Sequence, residues 1–278
     1  MEALYDLFLA PFDAPYMQRA LLEVLLLAVL GGVLGTWIVL RRLAFYTHAI
    51  GTAAFPGLVV AGPWGVAPQL TALACGLGLA GGVERLARSR RVDHDAATGL
   101  LLVLALAVGV VLASDVYAAG AGVDRLLFGS LIGLSDLDLW LTAAVALVAV
   151  GAAGALRRPW TAAGFDPGSA RALGVRAALG DWILLALVAL AVVTALDAVG
   201  ALLVTAIFVL PAATVRLWAR SVSGLQAGSV ALAAAEGVAG LWIARRLDVG
   251  PGPAMAMVGG AAFALVALTR TGLGRRAT

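Results

Sequence analysis

Nine apolar stretches follow one another along this chain, most of them near the roughly 20 residues an α-helix needs to cross a bilayer. They run over 20–40, 43–62, 66–86, 96–114, 137–156, 179–196, 199–218, 225–244 and 251–268, with short polar intervals between them. The pattern predicts an all-α, polytopic membrane bundle of about nine transmembrane segments, forming a single domain over residues 1–278. The second stretch is the most broken, since Gly51 and Pro56-Gly57 interrupt it. The interval 117–133 carries Gly120, Gly122, Gly129 and Gly133 with Asp124 and Arg125, too polar for a crossing; a short non-spanning helix outside is the most it predicts.

Composition agrees with the pattern. With 62% hydrophobic residues, 13% charged residues and a mean hydropathy of +1.01, a water-soluble domain of 278 residues is excluded. The pI of 9.6 does not point to nucleic acid, because the arginines lie between apolar runs rather than in a cluster with interleaved aromatics. The lone Cys75 sits inside an apolar stretch and reads as a packing residue, which removes a disulfide framework or thiolate metal site. The N-terminus MEALYDLFLAPFDAP is acidic and has no basic region of the kind that opens a cleavable signal.

Charge then fixes a sidedness. Nine crossings put the two ends on opposite sides. One side collects every arginine except Arg19, Arg125, Arg245 and Arg246, and the positive-inside rule makes that side cytoplasmic. Glu2, Asp6, Asp13, Asp115, Asp124, Asp136, Asp138, Asp197 and Asp248 fall in or near the outer loops. Such a rim attracts cations or is simply solvated.

The cytoplasmic interval 165–174, FDPGSARALG, is a polar insert between two apolar stretches. Asp166 suits an N-cap, Pro167 the first helical position and Gly174 the stop, so a short helix is predicted. Its face presents Phe165, Ala172 and Leu173 beside Arg171. Two readings remain: a grip for a partner protein, or a turn that tidies a loop. Elsewhere, small residues such as Gly31-Gly32, Gly35, Gly76, Gly78, Gly81-Gly82 and Gly259-Gly260 mark close helix contacts in lipid.

Six motifs, in this order and spacing, resemble the permease subunit of the metal-ion ABC importers, which carry zinc, manganese or iron. They are LGTWIVLRRLAFYTHAIGTAAFPG (34–57), DHDAATG (93–99), LFGSLIGLS (127–135), FDPGSARALGV (165–175), VGALLVTAIFVLPAATVRL (199–217) and LDVGPGP (247–253). The resemblance implies a plasma-membrane, multi-pass homodimer with the path at the dimer interface. It also implies a cytoplasmic ATP-binding cassette ATPase, an extracytoplasmic metal-binding protein, a divalent transition-metal ion as cargo and no resident cofactor. On it, 165–174 is the coupling helix, with Phe165, Asp166, Arg171, Ala172, Leu173 and Gly174 docking on the ATPase. The chain itself is then no enzyme, which fits the absence of a GxxxxGK[ST] loop and of any lysine.

The path residues depart from the family pattern. Aligned on Pro56-Gly57, the family's acidic residue and the histidine four positions later correspond to His48 and Thr52. That spacing keeps both on one helix face, where they are the candidate metal contacts. His48 has three readings: a path-lining ligand, a hydrogen-bonded packing residue, or a residue at the cytoplasmic edge. Glu236, mid-stretch, is expected to face the bundle interior, paired with an arginine or serine or touching the cation. Glu23 and Asp197 are expected to reach water, and Pro211 to break its stretch. The competing function is an ATP-independent secondary transporter or channel, which calls for a sequence repeat and paired intramembrane charges. A membrane scaffold or receptor is the third possibility.

Overall fold

The first apolar stretch folds as α1 (Pro15–Leu40), started by Pro15 at a position where its missing N–H is harmless. In this computed structural model, residues 12–87, 94–116, 127–165, 177–201 and 203–274 are described. The remaining helices are α2 (Ala44–Trp64), α3 (Pro68–Ala87), α4 (His94–Val111), α5 (Asp136–Ala155), α6 (Arg157–Phe165), α7 (Ala177–Val199), α8 (Val204–Arg216), α9 (Val222–Leu247) and α10 (Pro251–Gly274). A π-helical turn, Leu112–Val116, extends α4, and a 3-10 turn, Leu131–Gly133, precedes α5. No strand occurs among the described residues.

Helix α1 packs on α9, α8 and α5, while α2 gathers α3 and α4, and α7 touches α5, α2 and α3. Glycine sets these distances. A Cβ on Gly35 would lie 2.1 Å from the Phe208 carbonyl oxygen of α8, and one on Gly32 would lie 2.5 Å from the Val230 backbone of α9. Lipid gives helices no hydrophobic reason to associate, so such close backbone approach supplies the attraction. The outer end of α5 is fixed by a capping box, in which Ser135 accepts from the Asp138 amide and the Asp138 carboxylate accepts from the Ser135 amide.

Among the described residues seven helices are long and apolar enough to cross a membrane; within α3 and α8 the apolar segments are shorter, Pro68–Val83 and Val204–Arg216. The count of nine crossings is therefore not confirmed. Helix α3 is itself 20 residues long, and Gly65, at φ 64, ends α2 before it. Gly200, at φ 87, ends α7 at Val199, so the stretch 199–218 combines the last residue of one helix, a turn and the short α8. Conversely, α2 runs unbroken through Gly51 and Pro56-Gly57. Those glycines serve packing: a Cβ on Gly57 would lie 2.4 Å from the Thr71 carbonyl oxygen of α3.

Charged contacts stand at both ends of the bundle. At one end Arg41 pairs with Asp181 at 2.5 Å, Arg216 donates to the Val39 carbonyl at 3.3 Å and Arg157 donates to Ser223 at 3.1 Å. At the other, Arg19 pairs with Asp136 at 3.0 Å, both well exposed, a bridge worth at most about 1 kcal/mol. Gln69 donates to Asp197 there at 3.1 Å, so Asp197 is engaged by its neighbours rather than simply solvated.

Candidate functional site

His48 lies one turn into α2, half-buried, with its Nδ1 3.5 Å from the Thr205 hydroxyl of α8. The contact is long for a hydrogen bond, so it orients the imidazole without saturating it. Thr52, one turn further along the same face, is buried, and its hydroxyl has no hydrogen-bond partner. Between them Gly51 lets α8 approach: a Cβ there would lie 2.8 Å from a Val204 methyl and 3.0 Å from the Ala201 carbonyl oxygen. One imidazole and two hydroxyls thus lie along the contact between α2 and the α7–α8 corner.

Thr205 is the residue that sequence reasoning missed. It stands inside the motif VGALLVTAIFVLPAATVRL, but nothing in a linear reading shows that the Gly200 turn carries it to α2. Among the described residues no group of three or more His, Cys, Asp or Glu side chains could hold a metal ion. A site of one nitrogen and hydroxyl oxygens is suited to brief contact, not to storage.

Two buried acids depart from expectation. Glu23 does not reach water: it is 1% exposed because α5 covers its turn of α1, and Thr142 of α5 donates to its Oε1 at 2.9 Å. Its Oε2 has no partner. Glu236 faces the bundle interior as expected, 7% exposed, but among the described residues no arginine or serine bonds it, and its Oε1 has no hydrogen-bond partner. Ser229, two turns earlier on α9, spends its hydroxyl on the Leu225 carbonyl at 2.6 Å. Glu236 instead lines a small cavity, about 20 Å³, among α1, α8, α9 and α10. Pro211 lines it too. The expected break at Pro211 is absent, since α8 continues through it, although the missing N–H still frees the Ile207 carbonyl from its helical bond.

Of the expected coupling residues, Phe165 is the last described residue of α6. Asp166, Arg171, Ala172, Leu173 and Gly174 lie outside the described residues. Helix α6 was not foreseen. It is held by fully buried Trp160, whose indole N–H donates to the Gly180 carbonyl at 2.8 Å and whose ring meets Trp37 edge-on at 5.3 Å.

Comparison with known proteins extends these observations over nearly the whole chain. The manganese transport system membrane protein MntC of Halalkalibacterium halodurans is 30% identical, with 94% of this chain and 92% of that protein covered. The chelated iron transport system membrane protein YfeD of Yersinia pestis is 29% identical over 96% of this chain and 90% of its own. Among solved structures, PsaBC from Streptococcus pneumoniae in complex with Fab superposes with a TM-score of 0.86 at 25% identity, covering 96% of this chain and 95% of that one. Residues 13–270 match the model of the ABC 3 transport family, and the chain belongs to that family.

Proposed function

We propose that this chain is the membrane permease subunit of an ATP-driven importer of divalent transition-metal ions, zinc, manganese or iron. The family match over 13–270 carries the reading, supported by the manganese and iron named for its full-length relatives. The chain works as a homodimer in the plasma membrane with a cytoplasmic ATPase and an extracytoplasmic metal-binding protein. His48 meets the cation in transit, with the Thr52 and Thr205 hydroxyls beside it; neutral imidazole suits borderline transition metals and serves calcium or magnesium poorly. High affinity then resides in the binding protein, and a weak contact in the path favours release. Co-expression with the neighbouring ATPase and binding protein in cells lacking their own importers tests this reading. ATP-dependent uptake of manganese, zinc or iron is expected, and uptake that persists without the ATPase would replace it with a secondary transporter.

Two further outcomes follow from the segment 165–174. Arg171→Glu, or Gly174 replaced by a bulky residue, is expected to lower transport and stimulated ATP hydrolysis together, about tenfold, with normal insertion. Full coupled hydrolysis in both variants would remove this segment from the docking role. The arginine partition also places this segment in the cytoplasm. A cysteine at Ser169 should therefore resist an impermeant thiol reagent in intact cells and react after lysis, whereas labelling from outside would invert the topology.

A further inference from the structure

At the arginine-rich end, the end of α1, α6 and the end of α8 enclose a pocket of ≈ 160 Å³. Trp37, Arg42, Trp160, Thr161 and Arg216 are among the residues lining it. Trp37 is 1% exposed, and its indole N–H is buried without a hydrogen-bond partner. An unmet donor of this kind is expensive in a native interior, so something that accepts belongs beside it. Arg42 sits in the turn after α1 at φ 58, a backbone conformation that glycine adopts at far lower cost. One Arg216 nitrogen donates to the Val39 carbonyl at 3.3 Å, which leaves the rest of its fork for another acceptor.

Nothing among the described lining residues balances this charge. The nearby carboxylate, Asp181, is already paired with Arg41. The indole N–H of Trp160 is committed to Gly180, and the Thr161 hydroxyl donates to the Arg157 carbonyl at 2.7 Å. Two guanidinium groups and an orphan indole N–H therefore border one pocket without an acid, which is the donor set of an oxyanion site. An adjoining open groove of ≈ 550 Å³ shares Thr161 and adds Arg157 and Arg158. Directly after Arg216 come Leu217 and Trp218, 39% and 43% exposed, an apolar ledge beside the charge. Tryptophan so placed marks the membrane–water boundary, where phosphate and acyl chain are presented together.

We propose that this pocket binds the phosphate of an anionic phospholipid headgroup from the inner leaflet, held by Arg42, Arg216 and the Trp37 indole N–H, with the lipid tail along Leu217 and Trp218. The test is phosphatidylglycerol retention by the purified full-length permease, counted by native mass spectrometry after extraction from nanodiscs of phosphatidylcholine with or without phosphatidylglycerol. Retention is expected to fall about fivefold for each of Arg42→Ala and Arg216→Ala. Replacing Trp37 with benzothienylalanine keeps the bicyclic ring and puts sulfur in place of the N–H, so it should lower retention while the unfolding temperature in pure phosphatidylcholine stays within a degree or two of wild type. Arg245→Ala, at the opposite end, should retain lipid normally. Equal retention in the Arg42→Ala/Arg216→Ala double variant and wild type would overturn the site. So would stabilisation by millimolar inorganic phosphate in phosphatidylcholine without any effect of phosphatidylglycerol, which would make the ligand a free anion. Loss of the retained lipid on docking of the ATPase would give the pocket to an acidic side chain of that partner.

Discussion

Metal uptake is expected to fall about tenfold or more in His48→Ala, with the permease still inserted and folded. His48 offers an imidazole nitrogen beside the α2–α8 contact, and its long contact to Thr205 leaves that nitrogen available. Thr205→Val should reduce uptake less, because it removes an orienting hydroxyl and leaves the proposed ligand, His48, in place. The double change His48→Asp with Thr52→His restores the family's acid and histidine at their usual spacing, and it should retain uptake with an altered metal preference. Radioisotope uptake in cells carrying the whole transporter measures all three. Wild-type uptake and unchanged metal preference in His48→Ala would return this residue to packing.

Gly200→Ala is expected to leave little folded permease in the membrane. The residue combines two demands that alanine cannot meet. Its φ of 87 is a conformation that costs an L-residue about 1–2 kcal/mol, and a Cβ there would lie 2.3 Å from the Leu127 carbonyl oxygen and 2.5 Å from the Gly129 amide. Both contacts are backbone, so neither can swing aside, and relieving them costs about a further 1–3 kcal/mol. Gly62→Ala is the matched control, since nothing lies within 4 Å of its Cβ position. Yield in the membrane fraction and unfolding temperature in detergent should separate the two, and a Gly200→Ala protein as stable as Gly62→Ala would refute the account.

Hydrophobic pattern alone located a helix for each apolar stretch, because in lipid the backbone has to satisfy its own hydrogen bonds and a helix is the only open-ended way to do so. It did not locate the ends. Val199 reads as the start of a stretch and is the end of α7, since what decides the boundary is the backbone packed around Gly200. Helix α6 escaped notice because Arg157, Arg158 and Pro159 look like a loop, and its stabilising contacts, Trp160 with Trp37 and Gly180, are remote in sequence. The four-residue spacing of His48 and Thr52 showed that they share a face of α2. Nothing in the sequence showed Thr205, because it reaches His48 only through a tertiary turn. The missing partner of Glu236 was equally hidden: a carboxyl in mid-stretch announces burial, while what it faces depends on three other helices.

The brevity of α8 bears on how the chain enters the bilayer. Its 13 residues rise about 20 Å, against a hydrocarbon layer of about 30 Å. A segment that short cannot partition from the translocon as an independent span without leaving polar backbone in lipid. Beyond its outer end, the space is filled by the Leu127 and Phe128 carbonyls and the N-terminal turn of α10, which close around Gly200 and Gly252. Synthesis reaches α10 only after α8, so this end of α8, although α1 and α2 already cover one side of it, stays open until α10 has been made. Biogenesis therefore has a late commitment step, and truncation before Pro251 should strand α7 and α8 as a hairpin open to membrane proteases rather than as a smaller stable bundle.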